Sequence, residues 1–210
     1  MKTILFPALL FLLLISSTAS GQDDTYGIKA GVQSAGAHTD PATSGRVAGF
    51  GIYGFAELSV AKGLFSTFDL GYTQRGFTNS QEETNASGER VQTVEATTRL
   101  SYLSFTGLLN TTLSASGPFY IGAGPRFDYL IDTSPGKYEF TSASVEDHTA
   151  EALKNVVVGG SVVAGIKNLE ISHAAFRVEV KYEIDISDSF GSSPFTYRNN
   201  ALMLVLGVTL

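Results

Sequence analysis

A chain of 210 residues with 43% hydrophobic side chains, and no proline-rich or serine-rich linker, reads as one domain. The absence of Cys excludes a disulfide framework, a zinc ribbon, a thiol nucleophile and a lipid-attachment cysteine. The formal net charge of −6 argues against nucleic acid as a partner, because phosphate binding needs clustered Lys and Arg.

Residues 1–21 have the form of a signal peptide. Lys2 precedes an apolar run from Ile4 to Ile15 that is too short to cross a bilayer comfortably, and the step Ala19-Ser20-Gly21 suits signal peptidase. The cut is expected before Gln22, which leaves residues 22–210 as the mature domain and removes one cation, Lys2, from the charge balance.

From Thr25 the chain alternates. Thr25 to Gln33 sets Tyr26, Ile28, Ala30 and Val32 against Gly27, Lys29, Gly31 and Gln33, as a strand with two unlike faces does. Ser34 to Arg46 is rich in Gly, Ser, Thr, Asp and Pro and is expected to be loop. Val47 to Val60 is the second strand, with Phe50, Ile52 and Leu58 opposite Tyr53, Phe55 and Glu57, and Ala61-Lys62-Gly63 is a short turn. Leu64 to Arg75 is the third, with Phe68, Leu70 and Tyr72 opposite Thr67, Asp69, Thr73 and Arg75. Gly76 to Glu95 reads as a long polar loop, Ala96 to Leu113 as the fourth strand and Ser114 to Gly117 as a turn.

Phe119 to Ile131 is the fifth strand, with Arg126 and Asp128 opposite Phe127 and Tyr129. Asp132 to Lys154 is a third long connection, in which Ala150 to Leu153 is expected to make a turn of helix. Asn155 to Ile166 is the sixth strand and Lys167 to Ser172 a short connection. Phe176 to Ile186 alternates without a break: Phe176, Val178, Val180, Tyr182, Ile184 and Ile186 share one face, and Arg177, Glu179, Lys181, Glu183 and Asp185 the other. A loop from Ser187 to Asn199 leads to the last strand, Ala201 to Leu210, with Leu202, Leu204, Leu206, Val208 and Leu210 on one side and small residues such as Ala201, Gly207 and Thr209 on the other.

Eight strands result, and their connections alternate long and short. That rhythm predicts an all-β, eight-stranded antiparallel up-and-down transmembrane β-barrel, with short periplasmic turns, long extracellular loops and both ends of the mature chain in the periplasm. Gly27-Ile28-Lys29-Ala30-Gly31, Leu70-Gly71-Tyr72-Thr73-Gln74-Arg75-Gly76, Tyr102-Leu103-Ser104-Phe105 and Gly122-Ala123-Gly124-Pro125 occur in that order. Together they resemble the PorT-like outer membrane protein beta-barrel domain family, which is similar in architecture to the OmpX and OmpA barrels. The resemblance implies a place in the bacterial outer membrane, and most members of that family have no assigned biochemical activity. The partners expected are outer-membrane lipid and lipopolysaccharide, the barrel assembly machinery during insertion, and a surface or envelope protein reached through the loops.

The inward face collects Lys29, Glu57, Asp69, Arg75, Arg126, Asp128, Arg177, Glu179, Lys181, Glu183 and Asp185. The interior of eight strands is just wide enough for side chains to fill, so these charges are expected to pair across a plugged lumen; the sharper reading is a narrow polar conduit, and eight strands argue against a wide aqueous pore. No catalytic, cofactor-binding or metal residue is assigned. The expected role is non-enzymatic, either structural or in surface interaction. One alternative is a soluble secreted lipocalin-like barrel, which would turn its apolar face inward and the row from Arg177 to Asp185 outward. Another is an outer-membrane lipid-modifying enzyme using His38, or His148 beside Asp147 and Glu146.

Overall fold

The computed structural model describes residues 24–39, 44–114, 117–141, 143–146, 153–171, 174–187 and 197–210. The expected signal peptide and His148 lie outside them. Among the described residues ten strands follow in chain order: β1 (Thr25–Thr39), β2 (Gly45–Ala61), β3 (Leu64–Thr84), β4 (Arg90–Thr112), β5 (Phe119–Ser134), β6 (Lys137–Glu139), β7 (Ser144–Glu146), β8 (Val156–Ile171), β9 (Ala174–Asp185) and β10 (Tyr197–Thr209). Eight of them close into a barrel in the order β1-β10-β9-β8-β5-β4-β3-β2, all neighbours antiparallel, and β6 and β7 pair only with each other. The ring is sealed by β1, which lies between β10, with Gly27 opposite Thr209, and β2, with Gly27 opposite Phe55.

Closure pairs every strand on both sides, and period-two alternation then decides what faces each way. The charged row of β9 turns into the lumen, so Arg177, Glu179 and Lys181 are buried while Val180, Tyr182 and Ile184 are exposed. This polarity is the reverse of the lipocalin-like alternative, which the structure therefore excludes. The outward positions from Ile28 to Val32, Phe50 to Val60, Phe176 to Ile186 and Leu202 to Leu210 carry no ionised side chain. On β2, Phe50 to Val60 covers about 33 Å of strand at ~3.3 Å per residue, or about 25 Å along the axis at a tilt of roughly 40°.

Several expected loops are strand. Residues 76–95 continue the β3–β4 ladder to the pair Thr84–Arg90, forming a two-stranded arm above the barrel wall. Its tip is a tight turn: Asn85 Oδ1 accepts from the amides of Ser87 (3.0 Å) and Glu89 (2.9 Å), and Gly88 takes φ 79. The polar residues on both faces of this arm hide it from a hydropathy pattern, because backbone pairing rather than burial holds most of it. Likewise β1 runs to Thr39 and β10 begins at Tyr197, inside the segments expected as loops. The connection expected at 167–172 is also mostly strand, because a register shift between Ile166 and Leu169, with Asn168 at φ 59, lets β8 continue to Ile171. Of the helical turn expected at 150–153 only Leu153 is described; it is an isolated bridge residue packed against the cluster of Phe77, Leu100 and Val157.

The β6–β7 hairpin folds back onto the arm. Tyr138 and Phe140 pack on Val94 and Ala96, and Thr141 fastens the far end by donating its amide (3.1 Å) and hydroxyl (3.0 Å) to the Glu83 carboxylate. Gln92 Nε2 donates to the same carboxylate, and these hydrogen bonds, Gln92 first, hold its pKa below the ordinary value. A depressed carboxyl contributes docking strength above its unperturbed pKa and loses it as pH falls through the folded value. Hydrogen exchange at the Thr141 amide, corrected for its intrinsic pH dependence, is accordingly predicted to accelerate on acidification. Glu83→Ala is predicted to show the fast rate at neutral pH already.

Candidate functional site

The eleven charged residues expected inside the barrel are all buried there; Glu57, at 7% exposure, is the most open of them. β9 supplies Arg177, Glu179, Lys181, Glu183 and Asp185 because alternate residues of a strand share a face. The others converge from β1 (Lys29), β2 (Glu57), β3 (Asp69 and Arg75) and β5 (Arg126 and Asp128).

They form one unbroken series of ion pairs along the lumen. At the short-turn end Glu57 accepts from Lys167 Nζ (2.5 Å) and Arg177 Nη2 (2.9 Å). Arg177 Nη1 lies 3.6 Å from Glu179 Oε1, and Lys29 Nζ bridges that oxygen (2.9 Å) to Asp69 Oδ1 (3.0 Å). Lys181 Nζ carries the series from Asp69 Oδ2 (3.4 Å) to Glu183 Oε1 (3.3 Å). Glu183 Oε2 then meets Arg75 Nη2 (2.5 Å) and Arg126 Nη1 (3.4 Å). Both arginines also hold Asp128 Oδ2, at 2.7 and 2.8 Å, and Arg126 also pairs with Asp185.

Lys167 is the member the sequence reading missed. The eleven expected residues comprise five cations and six anions, and among the described residues Lys167 brings the series to six of each, a balanced set. Its inward parity on β8 follows Val163 and Gly165, which becomes visible once β8 is known to run past Ile166.

Aromatic rings back the cations. Arg177 and Lys29 lie over Phe55 at 4.0 and 4.9 Å, Lys181 over Tyr53 at 5.2 Å, Arg75 over Tyr102 at 5.7 Å and Lys167 over Phe65 at 3.5 Å. Tyr120 donates its hydroxyl to Glu179 Oε1 at 2.6 Å. Space for these long side chains comes from an inward glycine: a Cβ on Gly207 would stand 2.7 Å from Arg177 Cγ and 3.0 Å from Lys29 Cγ. Apolar layers cap both ends, with Phe65, Leu108, Tyr120 and Val163 toward the short turns and Phe77, Leu100, Tyr102 and Val157 toward the long loops. Between them Met203 and Val205 pack on Tyr53, so the inner face of β10 is bulkier than the small residues expected there.

The hydroxyls of Ser104, Thr106 and Ser161 face the lumen without a protein partner. His38 lies exposed on β1, far along the strand from the ion series.

A closed ring that exposes an apolar band and folds its ions inward has the build of a transmembrane β-barrel, because hydrocarbon offers no partner to an open sheet edge or an exposed ion. No protein-family model matches the chain, and no curated protein matches it. Among solved structures it is similar to Ail, the attachment invasion locus protein of Yersinia pestis, in complex with the heparin analogue sucrose octasulfate: 13% identity over 89% of this chain and 99% of that one, TM-score 0.45. It is also similar to Neisserial surface protein A, at 12% identity over 88% and 97% of the two chains with TM-score 0.46. The outer membrane protein OprG from Pseudomonas aeruginosa gives 11% identity, 91% and 98% coverage and TM-score 0.45. Likenesses this distant carry no argument about ligand or partner.

Glu183 is a hub of the series, since it touches three cations, Arg75, Arg126 and Lys181. Removing one partner of a buried ion group costs about 3–5 kcal/mol, whereas an ion at a wet margin costs much less. Glu183→Ala is predicted to lower markedly the temperature at which the barrel unfolds in detergent, read by electrophoretic mobility. Lys167→Ala, at the mouth with 14% side-chain exposure, is predicted to lower it only slightly; equal losses would contradict the hub assignment.

Proposed function

We propose that this chain is an integral protein of a bacterial outer membrane whose role is structural or one of surface interaction rather than enzymatic, and whose lumen is closed to solutes. The observation that carries the membrane reading is the reversed polarity of the closed ring, with Val180, Tyr182, Leu204 and Leu206 exposed outside and the ions from Arg177 to Asp185 buried within. A soluble barrel bearing that surface would aggregate through it.

The contents of the lumen support the proposed closure to solutes. The ion series runs its length, and apolar layers stand at either end. Eight strands leave an interior that side chains fill, and aqueous channels belong to barrels of about sixteen strands or more. The long-loop end, with its arm and docked hairpin, is the surface offered to partners, with lipopolysaccharide around it. Kinship with the PorT-like family is proposed on the four ordered stretches beginning at Gly27, Leu70, Tyr102 and Gly122.

Two measurements test this reading. The protein is predicted to stay with outer-membrane fractions through urea extraction and to show heat-modifiable mobility in gels; release into the soluble periplasm would overturn the assignment. Liposomes containing the folded protein are predicted to show no swelling in isotonic arabinose, and swelling above that of empty liposomes would show an open lumen.

A further inference from the structure

Two of the outward-facing arginines among the described residues are held by oxygens of the barrel wall itself. Arg46 on β2 and Arg99 on β4 occupy outward positions at the long-loop end, and on each strand the outward row becomes apolar within two outward positions, at Phe50 and Leu103. Neither head group turns up toward solvent. The Arg46 stem lies over Gly36, where a Cβ would come within 3.1 Å of Arg46 Cγ, and its head reaches toward β1 and β10. Nε donates to Ser34 Oγ (3.0 Å), Nη1 to Asn200 Oδ1 (2.7 Å) and Nη2 to the Ser34 carbonyl. Arg99 crosses β3, where its register partner Gly76 presents no side chain, and Nη1 donates to the Ala48 carbonyl (3.1 Å) and Gln74 Oε1 (3.3 Å).

Ser34 and Ala48 are themselves register partners, so the two guanidiniums are tied to the two members of one cross-strand pair, Arg46 reaching on to Asn200 and Arg99 to Gln74. All five acceptors are neutral oxygens. They fix the two forks in place without cancelling either charge, and each guanidinium keeps N–H donors to spare from its set of five. A cation that merely avoided hydrocarbon would extend its head away from the apolar rows. These heads are instead bound to groups level with, or nearer the apolar band than, their own backbone.

We infer that Arg46 and Arg99 form a clamp for the phosphate of a membrane lipid in the leaflet at the long-loop end. The planar fork of Arg matches phosphate oxygens two at a time, and both forks here keep their charge and spare donors. A lipid is the fitting source of that phosphate because the wall directly below the clamp is apolar and exposed, at Val32 and Phe50, and is a surface for acyl chains. The inference rests on the membrane reading above.

Native mass spectrometry of the protein in detergent micelles tests it, with heat-modifiable mobility checked on every variant. The probes are phosphatidic acid, diacylglycerol with the same chains, and inorganic phosphate. Expected is a one-to-one adduct with phosphatidic acid that diacylglycerol does not form and millimolar inorganic phosphate does not displace. The R46Q/R99Q double variant should bind phosphatidic acid about tenfold more weakly or worse, as loss of charged hydrogen bonds implies. R46K/R99K, which keeps the charge and loses the forks, should also weaken it, and Lys62→Gln on the short turn at the opposite end should not. Equal retention by R46Q/R99Q, equal binding of diacylglycerol or displacement by inorganic phosphate would overturn the clamp. A folded barrel that binds no phosphatidic acid overturns the clamp alone, whereas a chain that does not fold in micelles overturns the membrane reading with it.

Discussion

The balanced ion series from Lys167 to Asp185 is the interaction on which the rest of the structure depends. β9 alone sends five ions into a narrow tube, and each needs a partner that another strand must deliver at the right height. Backbone hydrogen bonds between strands are much alike from one register to the next, so they choose poorly among registers. A slip of one residue would turn the ions of β9 out into the apolar band, and a slip of two would leave buried ions opposite the wrong partners. The series therefore selects the register that closes the ring, at Lys29 on β1, Glu57 on β2, Asp69 and Arg75 on β3, and Arg126 and Asp128 on β5.

The stabilising forces are distributed differently from those of a soluble domain. The outward side chains gain little from burial against one another, and the wall is held by its ladders, all satisfied by closure. Inside, ions alternate in sign, aromatic rings lie beneath five of the six cations, and two apolar layers screen the ends. Glu183 tolerates deep burial because three cations surround it; taken singly, any of these groups would be costly.

Much of this was legible in the sequence, for a definite reason. Where one face meets an apolar surrounding and the other an ionic one, alternation is strict, and rows such as Phe176 to Ile186 declare both the strand and its sidedness. The signal faded where that contrast ends. The arm from Gly76 to Glu95 is polar on both faces and reads as loop, although β3 and β4 pair through most of it. Lys167 read as part of a turn because the irregularity at Asn168 interrupts the alternation just beyond it. Met203 and Val205 face inward on a strand that is apolar on both sides, so their packing on Tyr53 had no pattern to betray it. Arg46 reads as the end of a loop and Arg99 as part of a strand, but the neutral acceptors that pin them to the wall lie 12 to 154 residues away in sequence.

The most direct test of the central claim is which side of the wall meets hydrocarbon. The chain has no Cys, so single cysteines at Val178, Val180 and Tyr182, and at inward-facing Ser104 and Ser161, can carry nitroxide labels without background. In lipid bilayers, collision with dissolved oxygen is predicted to be high at the three β9 sites and collision with a water-soluble nickel complex low, with both low at Ser104 and Ser161. Strong nickel collision at Val178, Val180 and Tyr182 would place those side chains in water and contradict the account.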